Sequence, residues 1–181
     1  GSDTTISFPS NPSVIHTYAT GGNYNVTLTI TASDSCTAFE TQTLTIFNAP
    51  TADFDYDISC FGTPVNFTDI SQSNGGGMIT EWLWNFGDPL SGSDNNSTFQ
   101  NPQHQFHTPG VHIVSLTVTT TNGCRSTVEI TLQVSPAPQV EFTSDHRCEN
   151  SPVQFHPDLA VINAAAINSW LWNFGDGFTS N

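Results

Sequence analysis

His104, His107 and His112 lie close together in the chain, and three imidazoles in one short stretch are a conceivable start for a zinc site. Asp69, Asn74 and Asp88 are oxygen donors of the kind a calcium ion takes, but such an ion needs six to eight oxygens, commonly several carboxylates. The loop Thr68-Asp69-Ile70-Ser71-Gln72-Ser73-Asn74-Gly75-Gly76-Gly77 offers a single carboxylate. Calcium is therefore a weak alternative, and no cofactor is expected. Serines and threonines abound without a Gly-x-Ser-x-Gly elbow, so no nucleophile is assigned and the reading is non-catalytic. Four cysteines, Cys36, Cys60, Cys124 and Cys148, complete the reactive inventory.

The charge balance narrows the partners. Sixteen acidic side chains face two basic ones, Arg125 and Arg147, for a net charge of −14. Phosphate binding needs several cations, which excludes a nucleic-acid footprint. No apolar run approaches the ~18 residues of a membrane helix, so the chain is not read as membrane-embedded. With 13 Phe and 4 Trp among 181 residues, it is also too apolar for a disordered acidic tail.

Strands must position these groups. Asn23 to Thr31 alternates, with Tyr24, Val26, Leu28 and Ile30 on one face and Asn and Thr on the other. A period of two means a strand with one buried side. Leu159 to Asn168 is the only helix-compatible stretch.

The sequence also repeats itself. Trp82-Leu83-Trp84-Asn85-Phe86-Gly87-Asp88 recurs as Trp170-Leu171-Trp172-Asn173-Phe174-Gly175-Asp176, an offset of 88. The same offset relates Cys60 to Cys148 and Cys36 to Cys124. It also carries Val26, Leu28 and Ile30 onto Val114, Leu116 and Val118. Such a period is the signature of tandem repetition. Pro50 and Pro138 fall at equivalent places, which divides the chain into 1–49, the C-terminal half of a repeat; 50–137, a complete repeat; and 138–181, the N-terminal half of the next. The chain reads as a slice of a longer array.

Seven short strands fit the complete repeat, near 51–57, 63–69, 79–86, 98–100, 103–107, 111–120 and 125–134, with Asn122-Gly123 in the last turn. That spacing implies an all-β, immunoglobulin-like sandwich of about seven strands in each repeat. Three ordered blocks then carry a resemblance: Trp84-Asn85-Phe86-Gly87-Asp88, Pro102-Gln103-His104-Gln105-Phe106, and Gly110-Val111-His112-Ile113-Val114-Ser115-Leu116. They resemble the polycystic kidney disease (PKD) domain, whose pattern runs Trp-x-Phe-Gly-Asp-Gly, Pro-x-His-x-Tyr and Gly-x-Tyr-x-Val-x-Leu. Pro89 departs from the first block while Gly177 keeps it, and His112 stands where Tyr24 stands.

The resemblance makes Trp84, Phe86, Gly87, Asp88, Pro102, His104, Gly110, Trp172, Phe174, Gly175 and Asp176 scaffold positions. It favours packing over zinc for His104 and His112. Some PKD-like domains hold calcium in the loop between the second and third strands, the loop that here has one carboxylate. Asp88 is expected to bond its own downstream amides. Tandem copies with a cysteine in each half look like those of large secreted adhesins of Bacteroidota. This implies an extracellular, cell-surface array acting as stalk, filament or adhesin, whose partners are neighbouring repeats and a surface glycan or protein ligand. The other reading is an accessory polymer-binding module of a secreted hydrolase, with Phe8, Phe47, Phe61, Phe99 and Phe178 as candidate contact rings.

Periodic cysteines in a secreted-looking sequence point to disulfides. Two pairings stand open. One is Cys60 with Cys124 inside the complete repeat; the other joins the early cysteine of one repeat to the late cysteine of the next. Asn25, Asn66, Asn95 and Asn96 begin glycosylation triplets.

Overall fold

The computed structural model describes residues 13–57, 60–145, 148–158 and 169–180. The stretch from Leu159 to Asn168 lies outside the described residues, as does Phe8. Every paired strand is antiparallel.

The alternating runs become strands where expected. A hairpin comes first, β1 (Gly22–Thr31) with β2 (Thr37–Ile46). Seven strands follow: β3 (Phe54–Tyr56), β4 (Val65–Asp69), β5 (Ile79–Asn85), β6 (Asn96–Ser97), β7 (Gln103–His104), β8 (Gly110–Thr120) and β9 (Arg125–Val134). They form a three-stranded sheet, β3-β4-β7, and a four-stranded sheet, β6-β5-β8-β9. The chain leaves one sheet at His104 and joins the other at Gly110, so Pro102 and Gly110 do bracket the crossing. Two details differ from the sequence reading. The short fourth strand sits at 96–97, and a 3-10 segment, Pro89–Asn95, precedes it where Pro89 replaces a glycine.

The sheets meet face to face over one core. Phe54, Val65 and Phe67 from the first sheet pack on Trp84, Val114, Leu116, Val118, Leu132 and Val134 of the second, with Phe86 just beyond β5. Ring centroids of Phe54 and Phe67 lie 5.0 and 5.5 Å from Trp84. Burying each such side chain stabilises by roughly 1.5–3 kcal/mol. The Trp84 indole N–H reaches the Phe99 carbonyl at 2.9 Å, so the buried ring leaves no donor unpaired. This is an all-β, immunoglobulin-like sandwich.

The flanking strands copy its registers. Gly22 faces Ile46 in the hairpin as Gly110 faces Val134 in β8–β9. On the other side, β10 (Glu141–Ser144) and β11 (Phe155–Asp158) pair Phe142 with Pro157, as β3 and β4 pair Phe54 with Asp69. Next come β12 (Trp172–Asn173) and β13 (Thr179–Ser180). The Phe155 ring lies 5.6 Å from Trp172 and 5.4 Å from Phe174, close to the 5.5 and 5.2 Å separating Phe67 from Trp84 and Phe86. Burial is what differs. Val114, Leu116 and Val118 are fully buried, whereas Val26, Leu28 and Ile30 are 46, 63 and 61% exposed. Phe142 is likewise 57% exposed.

Gly87 closes β5 with φ of 66°. A Cβ there would sit on the backbone carbonyl of Ile113, which cannot move without breaking β8. Gly87→Ala is therefore expected to lower unfolding free energy by about 1–3 kcal/mol, read by urea denaturation followed at the tryptophans.

Candidate functional site

The turn after β5 is built by asparagines. Asn85 Oδ1 accepts the Gly87 N–H at 2.9 Å, an Asx-turn, and Asn95 Oδ1 accepts the Asp88 N–H at 2.7 Å. Asn173 accepts the Gly175 N–H at the same 2.9 Å. Asp88 is then free to reach elsewhere. Its Oδ2 accepts the His107 backbone N–H at 2.9 Å and lies 3.1 Å from His104 Nε2 and 3.3 Å from His107 Nδ1. The expected bond to its own downstream amides is absent at Asp88. It is present at Asp176, where Oδ1 accepts the Phe178 N–H at 3.0 Å. The 3-10 segment that begins at Pro89 accounts for the change.

His104 is buried, stacked on Phe86 at 4.3 Å and met edge-on by Phe106 at 4.7 Å. Phe106 in turn packs on His112. His112 Nε2 lies 3.0 Å from the Thr108 carbonyl and Nδ1 3.2 Å from that of Gly87; a neutral ring donates to one of the two. Tyr24, its counterpart, donates its hydroxyl to the Thr20 carbonyl at 2.9 Å. Both residues return to the backbone four positions upstream, the tyrosine-corner device of immunoglobulin-like sandwiches. Histidine thus replaces tyrosine and keeps the contact.

Burial pushes the Asp88 carboxyl upward, but the hydrogen bonds from His107 and His104 outweigh it and hold the group below the usual carboxylate range. Burial dominates at His104 and depresses its imidazole below 6.5, with the Asp88 bond offsetting part of the shift. A carboxylate beside an imidazole is half of a catalytic triad, but neither face of this ring is open to a substrate. The nearby Ser91 hydroxyl donates to the Asp88 backbone carbonyl at 2.6 Å. The group braces the 104–107 loop against the end of β5.

The three calcium candidates do not converge. Asp69 has its carboxylate filled by N–H donors: the Trp82 indole at 2.7 Å, Gln100 at 3.1 Å and the Ser71 amide at 3.0 Å. Asp88 belongs to the brace. Asn74 instead ties down the segment entering β3, donating to the Ala49 carbonyl and the Thr51 hydroxyl at 3.0 and 2.9 Å. Among the described residues no three His, Cys, Asp or Glu side chains gather as a metal site, so the histidine trio is not one either.

Asn48, which the sequence reading passed over, is the centre of that segment. Its Oδ1 accepts the Gly21 N–H at 3.1 Å, just ahead of β1, and its Nδ2 donates to the Asn74 carbonyl at 3.1 Å. Gly76 lies against the Asn48 backbone carbonyl with no room for a Cβ, and Asn122 donates to the Gly76 carbonyl at 3.0 Å. Thr51 and Gln72 exchange both backbone hydrogen bonds, at 2.8 and 2.9 Å. Asn48 thereby joins the hairpin to the sandwich, and the Cys124 Sγ lies 3.9 Å from the Phe47 carbonyl beside it.

The cysteines are separated by the length of a strand. Cys60 bridges to Ser135 just past the end of β9, while Cys124 sits in the turn before β9 begins. Ten strand residues span ~30 Å, far beyond the ~7 Å a disulfide allows. The Cys60–Cys124 pairing is therefore ruled out, and Cys36, Cys124 and Cys148 are free thiols.

Of the candidate rings, Phe61 and Phe99 line one open cleft of about 840 Å³, together with Asn96, Asn101, Gln103 and Gln105. Phe99 is 76% exposed. Phe47 and Phe178 do not contribute to its lining. Asn66 and Asn95, two of the glycosylation candidates, are engaged in side-chain hydrogen bonds, Asn66 with Asp57 and Gln103 and Asn95 with Asn85.

The family model of the PKD domain matches residues 47–135. A microbial collagenase of Vibrio alginolyticus is 32% identical over 116 residues, covering 62% of this chain and 14% of the collagenase. The chain thus spans about a seventh of that relative. Among solved structures, the PKD1 domain of Vibrio anguillarum Epp is 26% identical with a TM-score of 0.45, over 51% of this chain and 100% of that domain. The PKD1 domain from Vibrio cholerae metalloprotease PrtV is 29% identical with a TM-score of 0.42, over 48% and 98%.

The brace sets a pH dependence. His104 titrates lower in the folded protein than when unfolded, so the unfolded state binds the extra proton and stability falls as pH drops through 6.5. The Asp88 contribution is present above 3.8 and is lost as pH falls toward its lower folded value. His104→Gln, which keeps a donor toward Asp88, should flatten the first slope and leave the second. Denaturant titrations across this range check it: identical profiles for the two proteins would refute the assignment.

Proposed function

We propose that the chain is a run of non-catalytic PKD-type sandwiches, with repeats over 1–49, 50–137 and 138–181, that works outside the cell as a stiff spacer and adhesive array. The Asn48 bridge is the observation that carries this reading. A flexible linker would leave the segment between β2 and β3 solvated. Here its polar groups are spent on both sides, and a hydrogen bond of this kind contributes about 1 kcal/mol to holding one geometry. An acidic, Thr- and Asn-rich surface suits such a spacer, because like charge keeps neighbouring copies from adhering to one another.

The cleft at Phe61 and Phe99 favours a second reading, an accessory polymer-binding module of a secreted hydrolase. Apolar rings beside side-chain amides can lie on a polymer strand while the amides bond its polar groups. The likeness to a collagenase supports collagen as the first polymer to try.

The two readings separate experimentally. Residual dipolar couplings of the whole chain should fit β1–β2 and the central sandwich to one alignment tensor, and Asn48→Ala should split it into two. A split already in the unaltered chain would count against the spacer. Retention on fibrillar collagen or chitin, reduced about tenfold by Phe99→Ala, would favour the accessory module.

A further inference from the structure

We infer that the peptide bond between Asp88 and Pro89 is a self-cleavage site, broken in a single turnover by the Asp88 side chain acting on its own backbone carbonyl. The inference depends on neither the spacer nor the accessory-module reading, and its substrate is the chain itself.

The parts of the reaction meet in the turn after β5. Asp88 and Pro89 are the one Asp-Pro pair in the sequence. The bond between them is a tertiary amide, and its nitrogen, once protonated, leaves as a secondary amine. The Asp88 carbonyl oxygen accepts two hydrogen bonds, from the Ser91 N–H at 3.0 Å and the Ser91 hydroxyl at 2.6 Å. Donors already aimed at a carbonyl oxygen stabilise the negative charge it gains when its carbon is attacked. The carboxylate divides its duties. Oδ2 takes all three bonds of the brace, from the His107 N–H and from the His104 and His107 rings. Oδ1 accepts none among the described residues and is the free nucleophile. Asp88 is buried while Pro89 beside it is exposed, so solvent reaches the leaving side of the bond.

Burial opposes an ionised carboxyl here, but the His107 and His104 bonds outweigh it. The nucleophile therefore stays charged in mild acid, where the leaving nitrogen is more readily protonated. His112 of β8, its Nδ1 3.2 Å from the Gly87 carbonyl, and Asp94 of the 3-10 segment, beside His104, are the further titratable groups packed around the turn.

The step is an intramolecular acyl transfer. Oδ1 bonds to the Asp88 carbonyl carbon and closes a five-membered cyclic anhydride. The C–N bond to Pro89 breaks, and the nitrogen leaves with a proton taken from solvent hydronium. Water then opens the anhydride, which leaves two carboxyl groups on a C-terminal Asp88 and a free amine on Pro89. Well-oriented intramolecular pairs of this kind reach effective molarities on the order of 10⁵–10⁸ M. The duplicated block supplies a contrast within the same chain. Gly177 follows Asp176 in place of the proline, and Asp176 Oδ1 is taken by the Phe178 N–H at 3.0 Å.

The experiment holds the full 181-residue chain in mildly acidic buffer and follows it over days by denaturing gel and mass spectrometry, with fragments 1–88 and 89–181 expected. Denaturing separation is required because β5 and β8 keep the two pieces paired. The folded chain should cleave at least about tenfold faster than the urea-unfolded chain at the same pH, and hydroxylamine should trap the anhydride as a hydroxamate on Asp88. Ser91→Ala, which removes only a hydroxyl, should slow the reaction about tenfold. Pro89→Ala, at an exposed position, should bring it below detection while tryptophan fluorescence shows the fold retained. Equal rates in the folded and unfolded chains, absence of the hydroxamate, no cleavage at this bond, or a rate unchanged by either substitution would each overturn the inference.

Discussion

Everything in the central unit depends on two sheets sharing one aromatic layer. Phe54 and Phe67 from one side and Trp84 and Phe86 from the other form a continuous set of ring contacts, and the aliphatic rows of β8 and β9 close it. Neither sheet is stable alone, because each has one apolar face and a three- or four-stranded layer gains its stability from burying it. The flanking strands carry the same residue types. Among the described residues the hairpin presents aliphatic rows, Val26, Leu28 and Ile30, and the later strands present rings, Phe142, Phe155 and Trp172.

A polar group near such a core has to be fully satisfied, and Asp88 is. Its buried carboxylate collects two imidazoles and a backbone amide, so the desolvation cost is offset by charge-assisted bonds. What results is a specific closure of the sandwich end where the chain crosses from β7 to β8. His104, caught between Phe86 and Phe106, acts there as an aromatic spacer with a polar rim.

The strands were largely legible because period-two alternation and Asn-Gly or Pro punctuation are local signals. The site was less so. That Asp88 mattered was visible from its place in a duplicated block, but its partners come from a loop some twenty residues away that alternation does not describe. Pro89 is a visible departure from the repeated block, yet its effect, a 3-10 segment that frees Asp88 from the local turn seen at Asp176, depends on contacts that no local pattern encodes. Asn48 carried no signal at all: it stands outside the repeated blocks, and one asparagine two residues before a proline looks like any other. Asp69 and Asn74 shared a loop and looked like ligands, but the hydrogen bonds each had already found could be seen only in three dimensions.

The bridge at Asn48 rests on a side chain that the position 88 residues further along does not carry. Its counterpart is Pro136, followed by Ala137 and Pro138, and a pyrrolidine ring has neither a carbonyl nor an amide at its tip to span a gap. The two connections therefore differ in kind: a side-chain amide spans the first, whereas two prolines restrict the backbone torsions of the second. Bending the first would stretch hydrogen bonds that can re-form, while bending the second would work against the fixed φ of the proline rings.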